Sequence, residues 1–64
     1  MVASYATHKA HWGDQWVCTF LIDGKADRTA RGTDGTGCKL YDTEAKAIAA
    51  GKRYITMMRK NGFK

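Results

Sequence analysis

The sequence predicts an α+β domain: a small antiparallel sheet of three or four strands, packed on one face by a carboxy-terminal amphipathic helix. Residues 16–22, WVCTFLI, are rich in β-branched and aromatic side chains, and Asp23-Gly24 follows them as a hairpin turn signal. Residues 38–42, CKLYD, alternate in the manner of a further short strand. A helical pattern then covers residues 43–61 between start and stop signals.

At 64 residues the chain has room for one domain and not for two. A hydrophobic share of 44% favours a packed core over a disordered chain. We divide the domain into a strand or ordered arm over residues 1–12, a sheet over 15–42 and a helix over 43–61. Alternation in residues 2–7 permits an edge strand, and Trp12-Gly13-Asp14 permits a turn into the next strand.

The turn after residues 16–22 can be made in two ways, which set opposite faces of residues 25–31 beside the same side chains of residues 16–22. A two-residue turn at Asp23-Gly24 sets Trp16, Cys18, Phe20 and Ile22 opposite Arg31, Thr29, Asp27 and Lys25. A three-residue loop that begins at Ile22 instead sets Trp16, Cys18 and Phe20 opposite Ala30, Arg28 and Ala26. Because the second register leaves one mainly apolar face, we predict the three-residue loop.

Residues 32–37, GTDGTG, form a glycine-rich loop. A phosphate-binding loop ends in Gly-Lys-[Ser/Thr] and enters a helix, whereas this loop continues into Cys38-Lys39-Leu40 and a predicted strand. We therefore interpret it as the mobile tip of a hairpin.

The predicted helix has a cap at each end and one apolar face. Asp42 or Thr43 can cap its amino end, and Gly62 supplies a left-handed residue after the stop. A glycine in a helix interior costs about 1 kcal/mol, so Gly51 predicts a close approach of helix to sheet. At helical spacing, the residues predicted to cover the sheet are Ala47, Ile48, Gly51, Tyr54, Ile55 and Met58.

The whole formal charge of +5 lies in the last third of the chain. Residues 1–43 contain five cationic and five acidic side chains, whereas residues 44–64 contain six cationic and one acidic. Five of these cations occupy an arc of roughly 140° on the helix, with small residues between them. Such a surface predicts a polyanionic partner. The predicted phosphate contacts are Lys46, Lys52, Arg53, Arg59, Lys60 and Lys64.

A basic face does not by itself identify its anion. The partner can be DNA or RNA, or an acidic surface of another protein. A third interpretation is simple solvation, since lysine, arginine and alanine are good helix formers. Because the helix has few amide side chains near its amino end, nucleic-acid contacts would be mainly to phosphates, with weak sequence preference.

Groups for catalysis or metal binding are sparse. The chain has no nucleophile elbow, no paired-carboxylate frame and no metal signature. His8, His11, Cys18 and Cys38 make four possible ligands, but their spacing does not match a zinc pattern. We predict a non-enzymatic protein without a cofactor or metal, in which both cysteines are free thiols.

Two segments carry a resemblance to known families. QWVCTFLIDGK, followed by LYDTEAKAIAAGKRYI, resembles small bacterial and phage families of unknown function in which two or three strands precede an amphipathic helix. The same segments are more distantly similar to the three-stranded AP2 and integrase amino-terminal DNA-binding domains. That similarity implies DNA recognition by the sheet, although those sheets are rich in arginine and this one is charge-balanced.

Our expectation is a basic nucleic-acid-binding protein in the cytoplasm of a bacterial cell or a phage-infected host. No apolar run approaches the ~20 residues that cross a bilayer, and residues 1–12 lack the apolar block of a secretory signal. The alternative is a module that binds, and can inhibit, a host protein through the helix or through a sheet face bearing Val17, Thr19 and Leu21. Unpaired edge strands also permit a homodimer.

Overall fold

The computed structural model describes residues 1–30, 32–33 and 35–64. A four-stranded antiparallel sheet precedes one carboxy-terminal helix, which confirms the predicted α+β class. The strands are β1 (Ala3–Lys9), β2 (Trp16–Ile22), β3 (Lys25–Ala26) and β4 (Cys38–Tyr41), and the helix is α1 (Glu44–Lys60).

Strand β2 is the centre of the sheet. On one side it pairs with β1 over seven residues, from Lys9 opposite Trp16 to Ala3 opposite Ile22. Its other side is shared, because β3 pairs with its last two residues and β4 pairs with its first four. The amino-terminal segment is therefore a full strand, and Gly13, with φ 63°, lies in the turn that leads from it into β2.

The predicted three-residue hairpin loop is wrong. Ile22 pairs with Lys25, so the turn contains only Asp23 and Gly24, whose φ angles of 52° and 82° suit a tight hairpin turn. The sequence disfavours this register because it sets polar residues opposite the apolar side of β2. In the structure the hairpin contact ends where the Asp27 amide donates to the Phe20 carbonyl at 2.7 Å, and β4 pairs with β2 from Thr19 back to Trp16.

Asp27 is buried in this register, and hydrogen bonds to its carboxylate compensate for the loss of water. It accepts hydrogen bonds from the Thr29 hydroxyl at 2.7 Å and from the Tyr54 hydroxyl at 2.9 Å. Desolvation acts to raise the pKa of Asp27, but the hydrogen bonds from Thr29 and Tyr54 outweigh it and hold the pKa below its ordinary value. Burial raises the pKa of Tyr54, and the bond to Asp27 raises it further. This contact joins α1 to the segment after β3.

The glycine-rich loop enters a strand rather than a helix, as predicted. Thr33 within it is buried, and its hydroxyl donates to the carbonyl of Ala30 at 2.6 Å. Part of the loop therefore packs against the protein. Arg31 and Asp34 lie outside the described residues.

The helix begins and ends at the predicted caps. The Thr43 hydroxyl accepts from the Lys46 amide at 3.2 Å, and Asn61 is the carboxy-terminal cap. Gly62 has a φ of 95°, and the Phe63 amide donates to the Met58 carbonyl at 3.0 Å, which completes a Schellman motif with the bond from Gly62 to Arg59.

The inner face of α1 packs on β1 and β2. A Cβ at Gly51 would overlap the ring of Tyr5, which confirms the predicted close approach of helix to sheet. Ala47, Tyr54 and Met58 are buried as predicted. Ala50, which we did not place on this face, is buried too, whereas Ile48 and Ile55 are only partly buried. The buried face is therefore turned toward Ala50 relative to the prediction.

Candidate nucleic-acid interface

The outer surface of α1 carries the predicted cations. We call this surface the cationic face, and all of its charged side chains are exposed. Since α1 uses the opposite side to pack on the sheet, the helix geometry alone directs these groups to solvent. The cationic face consists of Lys46, Lys52, Arg53, Arg59 and Lys60, with Ala45, Ala49 and Thr56 between them.

Little of this charge is neutralised within the protein. Among residues 1–30, 32–33 and 35–64, one ion pair forms, between the Lys46 ammonium and the Asp42 carboxylate at 3.6 Å. Both side chains are highly exposed, at 64% and 77%, so the pair is weak and easily exchanged for another anion. The other four cations of the face have no acidic partner within the described part of the chain.

The cations form two rows along the helix. Lys46, Arg53 and Lys60 repeat every seven residues in one row, and Lys52 and Arg59 form the other. The rows lie roughly 100° apart around the helix axis. Between them the surface is low, because Ala45, Ala49 and Thr56 are small. A shallow depression of about 360 Å³ lies at this position, lined by Lys52, Arg53, Thr56, Met57 and Lys60.

Lys64, the sixth predicted contact, lies away from the helix rows. Its backbone amide donates to the Met1 carbonyl, and its carbonyl accepts from the Ala3 amide at 2.8 Å. The end of the chain is thus fixed beside β1, although the Lys64 side chain is exposed. It can extend the basic surface only past the carboxy-terminal end of α1.

Lys39 is a cation that our sequence reasoning did not include. It lies on β4, and its ammonium is 5.7 Å from the centre of the Tyr41 ring. Tyr41 and Arg53 line the same crevice of about 240 Å³ between α1 and the sheet. The basic surface therefore continues from Arg53 past Tyr41 to Lys39. Strand alternation was the available signal, since residues 39 and 41 share a face.

Of the four residues considered for metal binding, His8, His11 and Cys38 line a hollow on one face of the sheet, and Cys18 lies on the other face. Cys18 is fully buried toward the helix, and burial, with a smaller effect of Cys38, raises its pKa to about 11. Cys38 is on the other face of the sheet, and its sulfur is 3.3 Å from the Thr19 hydroxyl. Both are free thiols. Within the described ranges, no three His, Cys, Asp or Glu side chains lie close enough to share a metal ion.

Comparison with known proteins gives no family assignment. No protein-family model, curated protein or solved structure matches this chain significantly. The resemblance to phage families and to AP2 and integrase domains therefore stays a prediction. Of the described residues, none belongs to a helix with the length and hydropathy needed to span a membrane.

Proposed function

We propose that the protein is a small non-enzymatic nucleic-acid-binding protein that contacts the phosphate backbone through the cationic face and has weak sequence preference. The observation that carries this proposal is the segregation of charge. Five exposed cations lie on one helix, and one of them is paired with an acid among the described residues. A surface of this kind gains affinity by releasing the counterions of a polyanion.

The shape of the cationic face supports the same proposal. Two rows of long basic side chains flank a low ridge of Ala45, Ala49 and Thr56, so the helix axis can approach a phosphate backbone closely. The side chains on this face are suited to phosphate contact rather than base reading, because asparagine and glutamine are absent from the helix.

The proposal is tested by titrating a labelled duplex DNA of about 20 base pairs, the corresponding single strand and a duplex RNA, with anisotropy as the readout. If about five phosphates are neutralised, the logarithm of the affinity for duplex DNA should fall against the logarithm of salt with a slope of about −4 to −5. The double variant Lys52→Glu/Arg59→Glu should nearly abolish binding. Lys25→Glu/Arg28→Glu changes the net charge equally at exposed positions outside the helix and serves as the matched control.

Two results would reject the proposal. One is a folded protein that binds neither DNA nor RNA at low salt, which would favour an acidic protein surface as the partner of the cationic face. The other is an equal loss of affinity in the two double variants, since that would show dependence on net charge rather than on this face.

A further inference from the structure

The face of the sheet that is turned away from α1 carries no Lys, Arg, Asp or Glu side chain on any of its strands. We call it the open face. Alternation assigns these positions, because the register places Cys18 and Phe20 toward the helix and their sequence neighbours on the other side. In a chain that is 27% charged, this face is unusual. Its strand residues are Ser4, Ala6, His8, Val17, Thr19, Leu21, Ala26, Cys38 and Leu40.

The open face contains a hollow of about 660 Å³ with exposed apolar side chains in its wall. Both histidines of the chain also line it, and its lining includes His8, His11, Trp12, Val17, Cys38 and Leu40. Trp12 is 59% exposed and Leu40 is 41% exposed. Lys39 borders the hollow, but its ammonium lies over Tyr41. Exposed aromatic and aliphatic groups gathered around one concavity are typical of a surface that is covered by a partner.

The core on the other side of the sheet is small. In the described part of the chain, its buried residues are Ala3, Cys18, Phe20, Ala47, Ala50, Tyr54 and Met58. A chain of this length buries only about 60% of its unfolded surface, and small domains often gain stability by association. Covering the open face would place Trp12 and Leu40 in a second apolar layer.

We propose that the open face is the interface of a homodimer, in which two sheets pack face to face about a twofold axis. An isologous interface needs a surface that complements itself, and this one has a hollow whose wall includes the 59% exposed Trp12. The charge distribution favours this arrangement over others. Sheet-to-sheet packing brings uncharged surfaces together and leaves each cationic face on the outside, where the like charges of the two copies are far apart.

The area of the open face sets the affinity that we expect for the dimer. The molecule measures 36 × 20 × 18 Å, so the open face covers at most about 700 Å² in projection. One partner in a standard protein interface buries about 800 Å². The dimer therefore lies at the small end of specific interfaces, and we expect association that depends on concentration in roughly the micromolar range.

The outer edge of β1 is the other surface through which two copies can pair, but it is partly blocked. The Ala3 amide already donates to the Lys64 carbonyl, so it cannot pair with a second strand. The strand also ends in Lys9, a charged residue of the kind that protects sheet edges. The open face has no such protection on its strands.

Sedimentation velocity of the full chain without nucleic acid, from about 5 µM to about 500 µM, tests this inference. The wild type should shift from monomer to dimer across this range. Leu40→Lys should stay monomeric, whereas Met57→Lys should dimerise like the wild type. Met57 is a close match for Leu40, because it is 46% exposed but lies on α1. The result does not depend on the proposed function, since no polyanion is present.

A second pair of variants repeats the comparison in case Leu40→Lys prevents folding. Ala6 is exposed on the open face and Ala49 on the cationic face, so Ala6→Lys should prevent dimerisation and Ala49→Lys should not. Circular dichroism reports whether each variant is folded. A wild type that remains monomeric at the highest concentration would overturn the proposal. So would a dimer that survives both Leu40→Lys and Ala6→Lys.

Discussion

The cationic face and the open face differ in how directly the sequence reveals them. Five cations of the first lie on one continuous helix, so a count of charges along the chain is enough to find them. The second is assembled from four strands that the chain visits between residues 3 and 41, and its lack of charge emerges only when the register is known. A surface formed by one helix can be predicted from a short stretch of sequence. A surface built from several strands can be predicted only when the pairing of those strands is known.

The two faces are held apart by contacts between the helix and the sheet. Tyr5 of β1 lies directly against Gly51 of α1. Tyr54 packs its ring on Phe20, with 4.8 Å between ring centres, and donates its hydroxyl proton to Asp27 in a hydrogen bond. These contacts fix which side of α1 faces solvent, and therefore where the cations point.

The largest expected effect is a difference in alkylation rate between Cys18, on the helix side of the sheet, and Cys38, on the opposite side. Cys18 faces the helix, is fully buried and has a pKa raised to about 11, so both access and thiolate formation are suppressed. Cys38 is partly exposed on the other side. An alkylating reagent at neutral pH should modify Cys38 at least about a hundredfold faster, since Cys18 must wait for unfolding. Mass spectrometry of digested protein measures both rates.

Denaturant provides the control for this labelling, because both thiols should then react at similar rates. Equal rates in the native protein would contradict the packing of β2 against α1. If the proposed dimer forms, protection of Cys38 should also rise with protein concentration.

Replacing Gly51 by alanine should break the close contact that separates the faces. The helix itself gains about 1 kcal/mol from alanine, but the new Cβ collides with Tyr5, and overpacking of this kind costs about 1–3 kcal/mol. We expect a net loss of up to about 2 kcal/mol in the free energy of unfolding, measured by chemical denaturation. In a Tyr5→Ala background the same substitution should stabilise the protein. A loss of equal size in both backgrounds would exclude the collision as the cause.

Asp27→Asn should weaken the polar contact between α1 and the sheet by about 1–2 kcal/mol at neutral pH. The sign of the pH effect follows from the lowered pKa of Asp27. The folded protein binds this proton less tightly than the unfolded chain, so the stabilisation is present above about pH 4 and is lost as pH falls. The variant should therefore lose less stability than the wild type on acidification.

Thermal melts between about pH 2.5 and 7 measure this difference, with Asp14→Asn as a control for removing one exposed carboxylate. A variant that keeps the full acid sensitivity of the wild type would contradict the role of Asp27. The pKa of Tyr54 is raised in the folded protein, so at alkaline pH the unfolded chain loses this proton first. Stability should therefore fall above about pH 10.

The smallest effect should separate two positions within the cationic face. Arg53 lines the central depression, whereas Lys46 lies at the amino end of α1 and is already paired with Asp42. Arg53→Gln should reduce the salt slope for duplex DNA by about 1, and Lys46→Gln should change it by less. Anisotropy titrations at four salt concentrations measure the salt slopes of the two variants. Equal slopes would show that the position along the helix is unimportant.

Most of the local structure could be predicted from the sequence. The strand over residues 16–22 and the helix ends are set by neighbouring residues, and the structure confirms both. The glycine at position 51 also predicted a close approach correctly, because a helix rarely accepts that residue without a packing reason.

The failures share a cause, which is distance along the chain. The correct hairpin register looks unfavourable in the sequence because it sets Asp27 opposite Phe20, and the hydrogen-bond partner that makes this possible, Tyr54, is 27 residues away. Ala50 was missed because the helix rotates to place Tyr54 over Phe20. The exposed position of the helix cations could be predicted from the sequence, but the place of Lys39 beside Tyr41 and Arg53 could not, since it depends on the pairing of β4 with β2.

The central claim is that the cationic face, and not the sheet, meets a polyanion. Titration of nitrogen-15-labelled protein with a short duplex DNA, followed by amide chemical shifts, tests it most directly. We predict shifts concentrated at Lys52, Arg53, Thr56 and Lys60, with the amides of Ala6, Thr19 and Leu40 unchanged. Shifts centred on those three sheet amides, or a spectrum that does not respond at low salt, would contradict it.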